Sequence, residues 1–344
     1  MRYRLLGESG LRVSELCLGT MTFGEEWGWG SPKDVSRHIY DAFRAAGGNF
    51  IDTANIYTNG TSESFLGDFM HGHRDSIVLA TKYTNSNPGT DPNAGGNHRK
   101  NMFAAVEASL RRLKTHYIDL YWMHIWDQIT PVEEVMRAFD DLVRQGKVLH
   151  VGVSDAPAWW IARAITLAEL RDWSPFIGLQ IEYSLTERTP ERELLPMAKA
   201  LGMGVTAWSP LAGGLLSGKY HFGAKEGGSR LDGEGSRQFM PNAQLAERVV
   251  AAQQTVAKQT GRSLAQIALA WLRYRGLPVI PIIGARKLDQ LHDNLASLEL
   301  SLSADQLKLL DDASRIEMGF PHDFFGKEMV RNLVYGGMRE KILA

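Results

Sequence analysis

The feature that most constrains this chain is a repeated unit, in which a short apolar segment is followed by an amphipathic helical segment. Several of the apolar segments are almost continuously apolar, which is typical of strands buried on both faces of a parallel sheet. The pattern predicts eight strands, at Leu16–Thr20, Asn49–Ala54, Ile77–Lys82, Ile118–His124, Val148–Ser154, Ile177–Tyr183, Val205–Pro210 and Val279–Gly284.

Helical segments lie between these strands. Their apolar residues recur at helical spacing, and proline or glycine stands at several of their ends, as helix termini favour. The predicted helices are Asp34–Ala46, Met102–Leu113, Val132–Arg144, two that open at Pro157 and Pro190, Ser263–Arg275 and Lys287–Ser297. Eight strand–helix units with short connections predict an α/β fold, a (β/α)₈ TIM barrel.

The alternative architecture is a doubly wound open sheet. In such a sheet a nucleotide site begins with G-x-G-x-x-G after the first strand, and the segment from Leu18 to Gly24 lacks that spacing. We therefore favour the barrel, as a single domain over residues 1–344. We also expect an N-terminal hairpin around Gly7–Gly10, and long loops at Asn85–Lys100 and Ser217–Asn242 on the C-terminal face of the barrel.

Composition excludes several classes of protein. The formal net charge is −1, without the basic excess of a nucleic-acid-binding protein. A single cysteine, Cys17, rules out an internal disulfide framework, and no apolar run approaches the length of a membrane span. The first residues lack the pattern of a signal peptide, so we expect a cytoplasmic protein that binds neither nucleic acid nor membrane.

Polar side chains at the C-terminal ends of the predicted strands are the candidate catalytic residues, because a TIM barrel keeps its active site at that end. Asp52, Tyr57, Lys82 and His124 follow the second, third and fourth strands. A lysine ammonium beside a tyrosine favours the phenolate and lowers the tyrosine pKa, and a carboxylate keeps that lysine charged. A histidine nearby can hydrogen-bond a substrate oxygen. Together they would donate a proton to a carbonyl oxygen when a hydride reaches the carbonyl carbon.

At this point the sequence resembles the aldo-keto reductase family. The matching segments are FIDTANIY (50–57), LATKY (79–83), DLYWMH (119–124), VGVS (151–154), LQIEYS (179–184), AWSPLAGGLLSGKY (207–220) and IPIIGARKLDQLHDNL (280–295). Their order and spacing cover the second to eighth strands. The resemblance implies a reductase that uses NADP(H), with Asp52, Tyr57, Lys82 and His124 as its catalytic tetrad and Tyr57 as the proton donor.

The resemblance also implies residues that bind the cofactor. Ser154 and Gln180 would hold the nicotinamide carboxamide, Trp208 would stack on the ring, and Arg286 would bind the 2′-phosphate that distinguishes NADP(H) from NAD(H). The full predicted set is Thr20, Asp52, Ser154, Asp155, Gln180, Trp208, Ser209, Leu211, Gly213, Gly218, Lys219, Gly284, Arg286, Gln290 and Asn294. Asp155 departs from the family, in which asparagine is common, and a carboxylate there could alter the redox preference.

The substrate is predicted to be a small carbonyl compound. Trp27 and Trp29 follow the first strand and Trp126 follows the fourth, so they would line an aromatic substrate pocket. Trp159, Trp160 and Trp271 are predicted to pack outside the barrel. No set of histidines has the spacing of a zinc site, and we expect no metal. A homo-oligomer is left open.

Two alternative functions are left open. Some barrels of this family serve as cofactor-sensing subunits of larger complexes with little turnover. A lysine at a barrel strand end can also form a Schiff base, which would make Lys82 the centre of a lyase.

The segment Gly213–Lys219 resembles a phosphate-binding P-loop, but Tyr220 stands where that loop needs serine or threonine, so a nucleoside triphosphatase is rejected.

Overall fold

Eight parallel strands close into a barrel in the computed structural model, which describes residues 1–87, 89–218 and 242–342. Each strand pairs with the next along the chain, and the last closes the barrel against the first. The barrel strands are β3 (Cys17–Gly19), β4 (Phe50–Asp52), β5 (Val78–Tyr83), β6 (Ile118–Met123), β7 (Val148–Ser154), β8 (Phe176–Glu182), β9 (Gly204–Trp208) and β10 (Val279–Ile283). The predicted (β/α)₈ barrel is confirmed.

An antiparallel hairpin precedes the barrel, formed by β1 (Tyr3–Leu5) and β2 (Arg12–Ser14). Leu6, in its turn, is fully buried in a cluster with Trp122 and Ile280 of the barrel strands. A Cβ on Gly204, at the start of β9, would lie 2.5 Å from the Leu6 side chain. Glycine therefore lets the hairpin close the N-terminal end of the barrel, which leaves the opposite end for the site.

Helices surround the barrel and bury their apolar faces against it. Val135, Phe139 and Leu142 recur on one face of a single helix and are fully buried, as the helical period predicts. The helices are α1 (Lys33–Ala45), α2 (Thr61–Phe69), α3 (Arg99–Leu113), α4 (Val132–Arg144), α5 (Ala158–Leu170), α6 (Leu194–Ala200), α7 (Ala243–Thr260), α8 (Leu264–Leu272), α9 (Leu288–Ala296), α10 (Ala304–Ala313), α11 (His322–Phe325) and α12 (Glu328–Tyr335).

The predicted boundaries agree with these within a few residues, and β7 and α4 agree at both ends. Pro190 opens only a short 3₁₀ turn, Thr189–Glu191, and the helix follows at Leu194. Most of the predicted loop Ser217–Asn242 lies outside the described residues. Within the described part of the chain, no helix is long and apolar enough to cross a membrane.

Candidate active site

The barrel brings the predicted tetrad to its C-terminal rim. Asp52 ends β4, and its Cα is paired with Ala80 on β5, two residues before Lys82. Side chains two residues apart on a strand point to the same face, so the register carries both groups to the barrel interior. Asp52 and Lys82 are 2% and 0% exposed, so their interaction is shielded from water.

Lys82 is the centre of a hydrogen-bonded cluster. Its ammonium donates to the Asp52 carboxylate, to the carbonyl oxygen of Thr53 at 2.8 Å and to the hydroxyl oxygen of Tyr57 at 3.2 Å. Burial opposes the charge, but Asp52 and then Tyr57 outweigh it and raise the pKa of Lys82. The geometry therefore holds a permanent cation against the phenol oxygen.

Asp52 is itself held at both oxygens. The oxygen not bonded to Lys82 accepts a hydrogen bond from the Gln180 amide at 3.0 Å. The hydroxyl of Thr20, buried on the neighbouring strand end, donates to the Asp52 carbonyl oxygen at 3.0 Å. Gln180 and Thr20 thus support Asp52 within the protein, and their predicted contact with a cofactor stays a prediction.

A strained turn carries Tyr57. The three residues after it, Thr58, Asn59 and Gly60, have φ values of 45°, 56° and 94°. A left-handed conformation is uncommon for a β-branched residue, so surrounding contacts must maintain it. The buried Thr58 hydroxyl donates to the carbonyl oxygen of Phe23 at 2.6 Å, which ties the Tyr57 turn to the loop after β3.

His124 lies beside Tyr57, with ring centroids 6.0 Å apart and nearly perpendicular. Its Nδ1 is 3.3 Å from the amide nitrogen of Asn85. Burial and then the charge on Lys82 lower the pKa of His124 well below its usual value. A neutral imidazole whose Nδ1 accepts from Asn85 carries its proton on Nε2. Sequence reasoning missed Asn85, although its place just beyond a strand end was a signal.

Two groups of aromatic rings lie at this face of the barrel. Trp27 stands edge-on to Tyr57 at 6.3 Å and lies 5.7 Å from Trp29. Trp126, two residues after His124, packs edge-on against Trp159 at 5.7 Å. The prediction that Trp159 packs outside the barrel is wrong: it is 59% exposed, because it lies in the first turn of α5, which starts at this face.

The ends of β7 and β9 meet through a second carboxylate. Asp155 Oδ1 accepts a hydrogen bond from Trp208 Nε1 at 3.1 Å. Crowding by protein atoms raises the pKa of Asp155 to about 6, while the hydrogen bond from Trp208, the neighbouring hydroxyl of Ser154 and the charge on Lys82 oppose that shift. Ser154 Oγ is buried and close enough to act on Asp155, but it has no partner in full hydrogen-bonding geometry.

The loop after β9 is a run of tight, left-handed turns. Ala212, Gly213 and Gly214 have φ values of 48°, 67° and 103°, and Ser209 and Gly218 are also left-handed. The backbone N–H groups of these turns bond within the loop: that of Ala212 donates to the Ser209 carbonyl oxygen at 2.8 Å, and that of Gly213 to Ser209 Oγ at 3.3 Å. Leu211 is half-buried between two parts of the core, and the predicted Lys219 lies outside the described residues.

The segment after β10 is fixed by the residues predicted to bind adenosine. Gln290 Oε1 accepts from the Arg286 backbone N–H at 2.8 Å, and the Asn294 amide donates to the Gly284 carbonyl oxygen at 3.3 Å. A Cβ on Gly284 would meet no atom within 4 Å, so the space beside it is open. Arg286 is half-buried just before the N-terminus of α9, a favourable place for an anion.

Comparison with known proteins identifies this architecture. A model of the Aldo/keto reductase family matches residues 15–315. The chain belongs to the aldo/keto reductase family. It is 38% identical to an aryl-alcohol dehydrogenase (NADP+) of Phanerodontia chrysosporium, over 97% of this chain and 91% of that protein. It is 40% identical to a norsolorinic acid reductase of Aspergillus flavus, over 94% of this chain and 83% of that protein.

A further relative is a putative aryl-alcohol dehydrogenase of Saccharomyces cerevisiae, 36% identical over 95% of this chain and 90% of that protein. The predicted family is therefore confirmed. Family membership and these relatives support an oxidoreductase that acts on carbonyl groups, which agrees with the cluster of Tyr57, Lys82 and Asp52.

Proposed function

We propose that this aldo/keto reductase interconverts an aromatic aldehyde or ketone and its alcohol with NADP(H). The observation that carries the proposal is the contact between the Lys82 ammonium and the Tyr57 hydroxyl, 3.2 Å long, beside the edge-on ring of Trp27. Two relatives are named aryl-alcohol dehydrogenases, one of them for NADP+, and both names support an aromatic substrate.

Tyr57 is the proton donor of this proposal. The ammonium of Lys82 stabilises the phenolate that remains after the proton leaves, and Asp52 holds that ammonium in place. The Nε2–H of neutral His124 orients the carbonyl oxygen toward Tyr57. In the oxidation direction the Tyr57 phenolate accepts the alcohol proton. When bound, NADPH supplies the hydride to the carbonyl carbon.

Several groups fit that cofactor. Ser154 Oγ is a buried polar atom with no well-formed hydrogen bond, which a carboxamide would supply. The loop with Ser209 and Gly213 is proposed to follow the pyrophosphate, and Arg286 suits a 2′-phosphate because its planar fork donates two parallel hydrogen bonds. Gly284 leaves open space beside this segment.

A substrate screen tests the proposal. Purified protein is mixed with NADPH and matched pairs of aromatic and aliphatic aldehydes, and loss of the reduced-nicotinamide absorbance is followed. We expect turnover, faster with the aromatic member of each pair. Tight NADPH binding without turnover would indicate a cofactor-sensing subunit instead. Borohydride trapping of substrate on Lys82 would indicate a Schiff-base lyase.

A further inference from the structure

Asp155 links two tryptophans of the site. Its carboxylate accepts from the Trp208 indole at 3.1 Å, and its carbonyl oxygen accepts from the Trp126 backbone N–H at 3.3 Å. Its φ of 44° is uncommon for a residue other than glycine, so these contacts hold it in a strained conformation. A carboxylate is thereby fixed against the ring system that ends β9.

This carboxylate changes charge near neutral pH. The protein atoms around its carboxylate raise the pKa of Asp155 to about 6, although the residue is partly open to solvent, so the group is ionised at neutral pH and becomes neutral in mildly acidic solution. The charge on Lys82 acts on it, which places Asp155 within electrostatic reach of the reacting centre. Lys82 keeps its own charge throughout this range, because its pKa is raised.

Other charged or titratable groups stand at this face of the barrel among the described residues: the paired Asp52 and Lys82, His124 and Glu182. Glu182 ends β8, the strand between β7 and β9, and its Cα is paired with Trp208. A pH effect at this place need not come from Asp155 alone, while Lys82 supplies a constant positive charge. A test of Asp155 needs Glu182 as its matched control.

We propose that ionised Asp155 biases this site toward the oxidised cofactor, and so toward alcohol oxidation. This inference rests on the proposed function and on the predicted stacking of Trp208 on the nicotinamide ring. That ring is cationic when oxidised and neutral when reduced, so a nearby anion stabilises the oxidised form selectively. Protonation of Asp155 removes the bias. By linkage, binding of NADP+ lowers the pKa of Asp155 more than binding of NADPH does.

The experiment measures dissociation constants for NADP+ and NADPH by calorimetry, from about pH 5 to about pH 8, a range that spans the Asp155 transition. Wild type, Asp155→Asn and Glu182→Gln are compared. Asparagine keeps an oxygen that accepts from Trp208 but carries no charge. The ratio of the two constants cancels the ionisation of the 2′-phosphate, which both nucleotides share.

In wild type, the dissociation constant of NADPH divided by that of NADP+ should rise roughly fivefold to fiftyfold from the lowest to the highest pH. This is the effect of one charge–charge interaction over several ångströms at an effective dielectric constant of about 20 or somewhat above. The ratio should be flat in Asp155→Asn and should still rise in Glu182→Gln. NADP+ binding near the transition should release protons in wild type and not in Asp155→Asn.

Equal ratios in wild type and Asp155→Asn at every pH, with both nucleotides bound, would overturn this inference and leave the proposed function standing. A pH-dependent ratio that disappears in Glu182→Gln and persists in Asp155→Asn would also overturn it. If neither nucleotide binds the wild-type protein, the proposed function fails, and this inference fails with it.

Discussion

The floor of the site and its rim hold their polar groups differently. The floor, made of Asp52, Lys82 and Gln180, is buried, and its three side chains bond to one another across the barrel. The rim, made of Trp27, Trp126, Asp155 and Arg286, lies on loops and is half-buried or exposed. Under the proposed function, the floor would determine which reaction is possible, and the rim would determine which molecules bind.

This difference has an energetic origin. A buried ion pair whose partner is removed leaves an uncompensated charge, which costs about 3–5 kcal/mol, so the floor tolerates little change. Charges at the rim are screened by solvent, and a single contact there contributes less. Changes at the floor should affect the chemical step, and changes at the rim should affect binding. The following predictions sharpen that distinction in order of expected effect.

The largest effect is expected for Tyr57→Phe, which removes the hydroxyl beside Lys82 and keeps the ring edge-on to Trp27. General acid catalysis contributes about 10²–10⁴-fold, so kcat for reduction should fall by that factor. The dissociation constant of NADPH should stay nearly unchanged. Rapid-mixing kinetics and fluorescence titration measure the two quantities, and near-normal turnover would refute the assignment.

A smaller effect is expected for Arg286→Ala at the rim. A hydrogen bond to a charged group contributes about 1.5–3 kcal/mol, so NADPH should bind more than tenfold more weakly. NADH, which lacks that phosphate, should bind almost as before. Lys287→Ala is the matched control, because Lys287 is the exposed neighbour at the same helix N-terminus. Equal loss for both nucleotides in Arg286→Ala would make the residue structural.

The smallest effect is expected for Trp27→Leu. An edge-on aromatic pair contributes about 0.5–1.5 kcal/mol, so KM for an aromatic aldehyde should rise about twofold to tenfold. The KM of an aliphatic aldehyde of similar length should change less, since it gains no such pair. Steady-state kinetics with both substrates measures the two KM values, and an equal rise in KM for the two aldehydes would argue against an aromatic pocket at Trp27.

The fold was predictable from the sequence because the barrel strands are buried on both faces, and nearly continuous apolar runs such as Ile118–Met123, which only Asp119 interrupts, indicate that burial. The helix Thr61–Phe69 was missed, since it follows a polar turn and lacks a clear apolar stripe. Its N-terminus depends on the left-handed Gly60, a backbone feature that no local pattern specifies.

The proximity of Asp52, Tyr57, Lys82 and His124 was predictable because they stand at or near strand ends, where a barrel gathers polar groups, and their catalytic role stays a prediction. The bonds among them were not predictable. That Gln180 would donate to Asp52, or that Asn85 would reach His124, depends on side-chain geometry across separate strands. The position of Trp159 was wrong for a related reason: helical spacing does not say at which end of the barrel a helix begins.

We propose that the buried Lys82 lowers the pKa of Tyr57. The attraction between the ammonium and the phenolate raises the pKa of Lys82, and the same attraction favours the phenolate of Tyr57. The pH dependence of the single-turnover reduction rate tests it most directly, in wild type, Lys82→Met and Lys82→Arg. Reduction needs protonated Tyr57, so the rate falls as pH rises through its pKa. We predict that this fall moves to higher pH, toward the ordinary tyrosine value of about 10, in Lys82→Met, and moves less in Lys82→Arg, which keeps the charge. A fall at the same pH in all three proteins would contradict the account.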